Sequence, residues 1–502
     1  MDIDPALVSR IDLAGSLDRE IDKPARMMPP SLAMRAVASR RPKAVTWIEN
    51  VISSRFMPSP EETVVVSKAN HGVRPVALWD VPTRVLYGAL AAQLDPVIPA
   101  PPRGRQHWDA FKRAPLDHPG AYVVATDIAA CYHYIDHNLL MEELLVQTGD
   151  HAVINNLGDV LVAAQGRTYS LPQQSSASDL LAEALLDRLE RVLIRRGVQA
   201  FRYNDDFRFI CRSWSDAVRA IEIFAEETRR VGLTMNDLKT VTWKRSTYQR
   251  SLEEAEELRK QIADEARYDL TLFSDDPYGD EVDVEPEPSD VDREAAARIV
   301  ARWARVGARS SVGPRRAKEH RALLDLLPST LRTLETDPAL NQDLLGHVIQ
   351  ILRFARHLTP AACRYLASRT DSTPAVTVFS RLLRSGAYLN GWQAWWLQHV
   401  LAAHNEFGTG DDAARRIRWL QDILKAETQP LTVRAHAALS LARHAHISAQ
   451  DLLSMYDRTP TAARPPLVAA IALVKPPGNI RKAVTQDNQL HRWVYEWAPN
   501  HA

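Results

Sequence analysis

Several features that mark other protein classes are scarce in this sequence of 502 residues. Its three cysteines, Cys131, Cys211 and Cys363, are too far apart for a disulfide framework or a zinc-ligand spacing. No apolar run approaches the roughly 20 residues that a membrane-spanning helix needs. The N-terminus, MDIDPALVSRIDLAGSLDRE, has acidic residues and lacks the apolar segment of a secretory signal. These absences favour a cytoplasmic protein with no membrane partner.

The formal net charge is zero, but the charges are unevenly distributed. Residues 1–263 have a net charge of −1, residues 264–292 of −11, and residues 293–502 of +12. The stretch 275–292 contains nine acidic residues, three prolines and no basic residue, which predicts a flexible linker. The basic C-terminal region suits binding of RNA or DNA, although a helical domain with solvated arginines would have the same charge.

The first 250 residues predict an α+β fold, because strand-like and helix-like segments alternate without a repeating βαβ pattern. The predicted order is strands 63–68 and 74–79 joined by a turn at 69–72, helix 81–98, strand 121–128, helices 137–149 and 178–197, a hairpin at 201–211, and helix 213–232. We expect Ser178 or Asp179 to cap the helix that ends at Gly197. Together these segments predict an antiparallel sheet with helices on one side.

From residue 293 onward the sequence predicts only helices, in short segments separated by turn signals. Apolar and alanine-rich segments such as LTVRAHAALSLARHA (431–445) favour an all-α, HEAT-like domain, although no strict repeat period is visible. Trp392, Trp395 and Trp396 are spaced as one face of a helix. Such a stripe favours a core position over stacking on exposed bases.

Three aspartates form the candidate chemical site. Asp205 and Asp206 occupy the hairpin turn in YNDDF (203–207), and Asp127 ends the apolar strand before IAACYHYIDH (128–137). An Asp-Asp turn alone is more often a solvated hairpin tip. Nucleotide transfer, however, uses two divalent metal ions about 4 Å apart, and Mg²⁺ prefers oxygen ligands. A hairpin carrying two carboxylates beside a strand that ends in a third predicts such a site, where metal ions relieve the repulsion between like charges.

Five motifs between residues 63 and 243 resemble, in order and spacing, the fingers and palm of bacterial reverse transcriptases. They are VSKANHGVRPVALWDVPTRVLYGAL (66–90), DIAACYHYIDHNLL (127–140), YSLPQQSSASDLLAEALL (169–186), RYNDDF (202–207) and GLTMNDLKT (232–240). The resemblance implies N-terminal helices and fingers at 1–100, a palm at 101–250, a helix and acidic linker at 251–295, and a basic helical repeat-like domain at 296–502.

The resemblance implies a role for each carboxylate. Asp127 and Asp205 would bind two Mg²⁺ ions, with Mn²⁺ as a substitute, while Asp206 supports them and Ile128 is a further metal ligand. Tyr132 would crowd a ribose 2′-hydroxyl, so deoxynucleoside triphosphates would be the preferred substrates. A core aromatic at the junction of strand and helix is the alternative for Tyr132.

Four polar residues would contact the nucleotide if the resemblance holds. Lys68 and Arg74 would bind the triphosphate, Gln173 would lie near the incoming base or sugar, and Lys239 near the leaving pyrophosphate. Ordinary surface positions remain open for all four.

Ser170 and Gln174 depart from the family pattern, which usually has glycine on both sides of Leu-Pro-Gln. Glycine allows the backbone to approach a ligand closely. Gln174 would therefore narrow or re-route the template side of the pocket, which puts templated copying in question more than the chemistry itself.

A basic helical region behind the palm resembles the abortive-infection and defence-associated reverse transcriptases of bacteria. In that group a helical repeat domain replaces the thumb, and some members make DNA without a template, primed from a protein hydroxyl. The resemblance thus implies a DNA polymerase, RNA-templated or template-independent, in antiphage defence. Four tyrosines in the helical region are candidate primers that the sequence does not rank: Tyr365, Tyr388, Tyr456 and Tyr495.

Two other functions stay open. One is an inactive, polymerase-like scaffold that binds nucleic acid, and the other is a retron- or intron-like enzyme with a dedicated non-coding RNA. A partner protein and a homo-oligomer are also left open by the sequence.

Overall fold

The computed structural model describes residues 1, 3–22, 27–68, 72–102, 104–273, 288–307, 314–335, 342–369, 371–404 and 410–501. The predicted hairpin turn at 69–72, apart from Gly72, lies outside the described residues. Residues 275–287 of the predicted acidic linker also lie outside them. Within the described residues, no helix combines the length and apolar character needed to cross a membrane.

The N-terminal part consists of four helices, a two-stranded hairpin and a fifth helix. These elements are α1 (Pro5–Arg10), α2 (Leu13–Asp22), α3 (Leu32–Ala38), α4 (Arg41–Ser53), β1 (Glu62–Ser67), β2 (Val73–Leu78) and α5 (Val81–Ala92). The hairpin strands are antiparallel, with Ser67 opposite Val73. Asp80 starts α5 by accepting a hydrogen bond from the Thr83 backbone N–H at 2.9 Å, which satisfies one of the free donors at a helix N-terminus.

A four-stranded antiparallel sheet with the strand order β4-β5-β3-β6 follows this part of the chain. Its strands are β3 (Tyr122–Asp127), β4 (Gln199–Tyr203), β5 (Asp206–Cys211) and β6 (Val241–Lys244). The pairing of β3 with β5 sets Tyr122 opposite Cys211 and Asp127 opposite Asp206. The end of strand β3 and the turn of the predicted hairpin therefore meet at the same end of the two central strands.

Seven helices connect and cover these strands within the described residues. They are α6 (Gly104–Arg113), α7 (Cys131–Tyr134), α8 (His137–Thr148), α9 (His151–Gln165), α10 (Ser176–Arg195), α11 (Trp214–Arg230) and α12 (Arg245–Phe273). The sheet has helices on both faces, because α10 and α11 cover one face while Tyr248 of α12 packs against Val123 and Ile210 on the other. The prediction of helices on one side only is wrong, since β3 alternates apolar residues towards both faces.

The remaining described residues form helices joined by turns and short loops, with no further strand among them. Its helices are α13 (Pro288–Gly307), α14 (Pro314–Glu335), α15 (Gln342–Phe354), α16 (Thr359–Ala367), α17 (Thr373–Arg384), α18 (Gly391–His404), α19 (Gly410–Lys425), α20 (Leu431–Arg443), α21 (Ala449–Arg458), α22 (Pro465–Leu473), α23 (Gly478–Asp487) and α24 (Gln489–His501). From α13 to α20 most helices contact the helix two positions further along, so the stack has two layers.

The predicted linker at 275–292 is wrong for its last five residues, which form the first turn of α13. Residues 288–292 were expected in the flexible segment, but they belong to this helix. Pro288 is the first helical residue and Asp290 lies in the first turn. Proline loses no hydrogen bond there, and a carboxylate is favoured near the positive end of the helix dipole.

The helical C-terminal region packs against the N-terminal part of the chain. The indole N–H groups of Trp392 and Trp396 both donate to the backbone oxygen of Met27, at 2.6 and 3.0 Å. Together with Trp395 they are at most 5 % exposed. The tryptophan stripe is therefore a core feature, as its spacing favours.

Candidate active site

Backbone hydrogen bonds bring the three aspartates to one place. Asp127 and Asp206 are directly opposite in the β3–β5 pairing, and the Ile128 N–H donates to the backbone oxygen of Asp205 at 3.1 Å. Asn204 turns the hairpin with a φ of 53°, in a left-handed region that asparagine tolerates better than most residues. Ile128, the further metal ligand implied by the sequence, is buried beside the cluster.

The segment after α11 closes on Asp127 from the opposite side. The Asn236 N–H donates to the backbone oxygen of Asp127 at 2.9 Å, and Nζ of Lys239 donates to Oδ2 of Asp127 at 2.5 Å. Asp127 is only 5 % exposed, and its Oδ1 has no hydrogen-bond partner among the described residues. Lys239 thus supplies the countercharge of a buried carboxylate.

The electrostatics of the cluster show an excess of negative charge. Burial, followed by the charge of Asp205, raises the pKa of Asp206 to about 6. Burial and the charge of Asp127 also raise the pKa of Asp205. Burial opposes the charged form of Lys239, but its hydrogen bond to Asp127 and the charges of all three carboxylates prevail and raise its pKa. One lysine does not neutralise three clustered carboxylates.

Divalent cations fit the chemistry of this cluster. Carboxylate oxygens are the preferred donors for Mg²⁺, and the buried Oδ1 of Asp127 points to a missing cationic partner. As the side chains stand, however, no group of three or more His, Cys, Asp or Glu residues in the described chain is arranged to hold a metal ion. Rotation of the aspartate side chains would bring them together on a metal ion, for which Oδ1 of Asp127 is available while Lys239 holds Oδ2.

The hairpin β1–β2 brings two further cations to the aspartates. Burial and the nearby positive charges of Arg74 and Lys239 lower the pKa of Lys68, while Asp205 and Asp127 oppose that shift. These mutual effects require the five side chains to lie near one another. The sequence-predicted Lys68 and Arg74 therefore lie within electrostatic range of the carboxylates.

The helical C-terminal region supports this hairpin. The side-chain N–H of Asn390, just before α18, donates to Oγ of Ser67 at 3.1 Å. The Thr432 N–H at the start of α20 donates to the Glu62 carboxylate at 3.1 Å. Both strand ends of β1 are thus attached to helices more than 300 residues away in sequence.

Tyr132 lies in α7, five residues after Asp127. Its backbone oxygen accepts a hydrogen bond from the Leu171 N–H at 2.7 Å, and its hydroxyl donates to Oδ1 of Asp179 at 2.7 Å. The expected cap at Ser178 or Asp179 is wrong, because the cap residue of α10 is Ser175. Asp179 lies in the first turn of the helix and binds Tyr132.

The loop before α10 keeps an unusual backbone at both positions where the family usually has glycine. Ser170 has a φ of 87° and Gln174 a φ of 64°. Ser170 is held on both sides, since its N–H donates to the Ile135 oxygen at 2.9 Å and its own oxygen accepts from Nε2 of His137 at 2.7 Å. Between them, Gln173 lines two cavities of about 230 Å³ each.

A buried ion-pair cluster under the Asp-Asp hairpin was missed by sequence reasoning. Arg202 forms two hydrogen bonds with Glu183 and one of 2.9 Å with Glu190. The side chains of Arg202 and Glu183 are 5 % and 4 % exposed. The available signal was the pair of glutamates seven residues apart on the otherwise apolar face of α10.

Helix α6 is a second feature that sequence reasoning missed. This helix covers Tyr203, the first residue of the YNDDF motif. Trp108 and Phe111 pack on Tyr203, with ring centroids 5.1 and 6.0 Å apart. The guanidinium of Arg208 lies 5.1 Å from the centre of the Phe111 ring.

The four tyrosines of the helical region differ in accessibility. Tyr365 and Tyr456 are 1 % and 4 % exposed, whereas Tyr388 is 70 % exposed. The hydroxyl of Tyr456 also donates to Asp487 at 2.6 Å. Tyr495 is half-buried. Tyr388 is thus the most accessible of the four.

Comparison with known proteins agrees with the motif resemblance for part of the chain. Residues 66–259 match the family model described as reverse transcriptase (RNA-dependent DNA polymerase). The match spans less than half of the chain and contains all the predicted site residues, so the similarity to reverse transcriptases is confined to the segment that carries the candidate site.

One structural neighbour is a telomerase from Candida albicans, solved in complex with the TWJ fragment of telomeric RNA. It is 10 % identical, with a TM-score of 0.30, over 75 % of this chain and 67 % of that chain. No protein of curated function matches the sequence.

Proposed function

We propose that this chain is a magnesium-dependent DNA polymerase of the reverse-transcriptase type. Asp127, Asp205 and Asp206 would hold two Mg²⁺ ions, with Mn²⁺ as a substitute. The observation that carries the proposal is the convergence of three buried or half-buried carboxylates with the hairpin cations Lys68 and Arg74. Such a site can bind both the metal ions and the triphosphate of a nucleotide.

Different residues of the site would bind the metal ions, the triphosphate and the sugar and base of the nucleotide. The metal ions would activate the attacking 3′-hydroxyl and stabilise the leaving pyrophosphate. Lys68 and Arg74 bind and orient the triphosphate. Lys239, which the hydrogen bond to Asp127 places at the site, would donate a hydrogen bond to the pyrophosphate. Tyr132 and Gln173 border the sugar and base.

Template use is the least conventional part of the proposal. The left-handed backbone at Gln174 keeps the loop shape that glycine would give, while its side chain adds bulk on the template side. We infer that synthesis is template-independent or only loosely templated. Tyr388 is the preferred candidate for a priming hydroxyl, because its side chain is largely exposed.

We further propose that the two-layered helical region is HEAT-like and binds RNA or DNA. Its net charge of +12 between residues 293 and 502 supports phosphate binding. We also propose a role in antiphage defence, which the resemblance to defence-associated reverse transcriptases with a basic helical region behind the palm supports.

The second candidate is an inactive nucleic-acid-binding scaffold built on a polymerase palm. The pairing of Lys239 with Asp127 favours it, because that contact occupies a carboxylate that metal binding requires. A scaffold would bind nucleic acid through its basic region without turning over nucleotides.

One assay separates these functions. Purified protein is incubated with Mg²⁺ and labelled deoxynucleoside triphosphates without template or primer, and the products are compared before and after protease. Label that becomes free DNA only after protease supports protein-primed synthesis, and Tyr388→Phe should then abolish it while Tyr456→Phe should not. Synthesis that needs added RNA and primer indicates conventional copying. Activity only with one co-purifying RNA indicates a retron-like enzyme.

Asp205→Asn is the negative control for that assay. Its folding is checked by circular dichroism, since loss of one half-buried carboxylate relieves repulsion and should not unfold the domain. Absence of any synthesis by the unaltered protein would leave the scaffold as the better function.

A further inference from the structure

The hydroxyl of Tyr132 is held by a carboxylate that the nucleotidyl-transfer chemistry does not use. It donates to Oδ1 of Asp179 at 2.7 Å, while the backbone of the same tyrosine is fixed by the hydrogen bond from Leu171. The ring is also packed against the main apolar core. Tyr132 is therefore anchored at its backbone, along its ring and at its hydroxyl.

We propose that Asp179 is a positioning residue that fixes the Tyr132 ring and so sets the preference for deoxyribose over ribose. This inference rests on the proposed function, in which Tyr132 borders the sugar of the nucleotide. Asp179 would affect the sugar preference through the Tyr132 hydroxyl, without touching the sugar itself.

Rigidity is what makes an aromatic ring an effective barrier to a hydroxyl. A side chain excludes a competing substrate through a steric clash. A ring that is free to rotate about its Cα–Cβ bond moves aside, and the clash with the ribose 2′-hydroxyl is lost. The backbone contact to Leu171 does not prevent that rotation. The hydrogen bond from the Tyr132 hydroxyl to the Asp179 carboxylate prevents the rotation. A hydrogen bond to a charged acceptor is shorter and stronger than one between neutral groups.

Asp179 is itself well supported. It lies in the first turn of α10, where the positive end of the helix dipole stabilises a carboxylate. The helix has 20 residues and its apolar face is buried in the core. The acceptor is therefore placed by a rigid element, as a site that depends on geometry requires.

The test measures nucleotide binding rather than synthesis. Dissociation constants for dATP and ATP are determined by calorimetry in Mg²⁺, for the unaltered protein and for Asp179→Ala, Tyr132→Phe and the double variant. We expect the unaltered protein to prefer dATP. Each single variant should lose about tenfold of that preference, the value of one hydrogen bond to a charged group. The double variant should lose no more than either single variant.

Two further variants sharpen the comparison. Asp179→Asn keeps an acceptor oxygen and should retain part of the preference. Asp187→Ala changes another aspartate of α10, which pairs with Arg191, and should leave the preference unchanged. Circular dichroism of each variant verifies that the fold is intact.

The outcomes separate this inference from the proposed function. If the unaltered protein binds neither nucleotide, the polymerase proposal fails and the inference with it. If it binds dATP and ATP equally, or if Asp179→Ala retains full preference, the inference alone is overturned. A further loss in the double variant would also overturn it, because Asp179 would then act independently of the Tyr132 hydroxyl.

Discussion

The ammonium group of Lys239 lies 2.5 Å from Oδ2 of Asp127, although 112 residues separate them in the chain. The aspartate is buried whereas 62 % of the lysine side chain is exposed. The lysine side chain thus extends from the surface to a buried carboxylate and neutralises it. Without Lys239 the charge of Asp127 would be buried without a partner, and an unpaired buried charge destabilises the fold. Any metal ion that binds Asp127 has to compete with Lys239.

Replacing Lys239 should therefore strengthen metal binding in the absence of nucleotide. For Lys239→Met we expect Mn²⁺ affinity to rise between about two- and tenfold, a modest gain because the lysine is largely exposed and screened. Electron paramagnetic resonance of free Mn²⁺ measures the affinity. DNA synthesis should fall in the same variant, because the pyrophosphate loses a hydrogen-bond donor.

Lys244→Met is the matched control, since Lys244 is an exposed lysine at the end of β6. It should change neither quantity. Unchanged or weaker Mn²⁺ binding by Lys239→Met would show that the lysine does not compete with the metal.

The buried pair Arg202–Glu183 should hold the Asp-Asp hairpin against α10. Glu183→Gln leaves the guanidinium of Arg202 buried with half of its countercharge, so we expect the free energy of unfolding to fall by about 3 kcal/mol. Urea denaturation followed by circular dichroism measures this loss. Glu190→Gln should cost less, because 24 % of the Glu190 side chain is exposed. Equal losses in both variants would contradict a special role for Glu183.

Asp206 should make the metal-free protein less stable as the pH rises. Its pKa in the folded protein is about 6, above the roughly 3.9 of an unperturbed aspartate. The folded state therefore binds the proton more tightly than the unfolded state, and stability is lost as the pH rises from about 4 through 6. Asp206→Asn removes this loss, so the variant should be more stable than the unaltered protein at pH 8, by up to about 3 kcal/mol for a shift of about two pKa units.

Thermal unfolding between pH 5 and pH 8 in a metal chelator measures that difference, which should grow with pH and level off above pH 7. Asp159→Asn, at an exposed site on α9, is the control and should show no such trend. Excess Mg²⁺ should reverse the order, because only the unaltered protein gains from binding the ion. A difference independent of pH would exclude Asp206 as its source.

The sheet and the three aspartates were predictable because local patterns determine them. Apolar runs with turn residues at their ends identify β3 and the β4–β5 hairpin, and a strand end beside a hairpin implies that Asp127 and Asp206 approach each other. Helix α9 was missed, since its segment HAVINNLGDVLVAAQ combines glycine and asparagine with β-branched residues that weaken a helical pattern.

Contacts between distant segments were not predictable from local patterns. Lys239 reaches Asp127 only because the backbone of Asn236 pairs with β3. An apolar stripe shows that Trp392 is buried, but it does not show that the partner is the backbone of Met27. Periodicity identifies which face of an element is buried and leaves its partner undetermined.

Gln174 should control how freely the pocket accepts a template. A left-handed backbone costs a residue with a side chain on the order of 1 kcal/mol, which glycine avoids. Gln174→Gly should therefore fold with equal or slightly greater stability, since the strain that it relieves offsets the larger chain entropy of glycine in the unfolded state. By removing the side chain, it should also raise synthesis on an added RNA template and primer relative to template-free synthesis.

Ser175→Gly is the matched control, because Ser175 has a φ of −123° and suffers no such strain. It should lower the melting temperature slightly and leave the ratio of templated to template-free synthesis unchanged. If Gln174→Gly also leaves that ratio unchanged, the glutamine side chain does not restrict the template. Ser170 and Gln174 would then keep the left-handed backbone that glycine provides in the family without restricting template use.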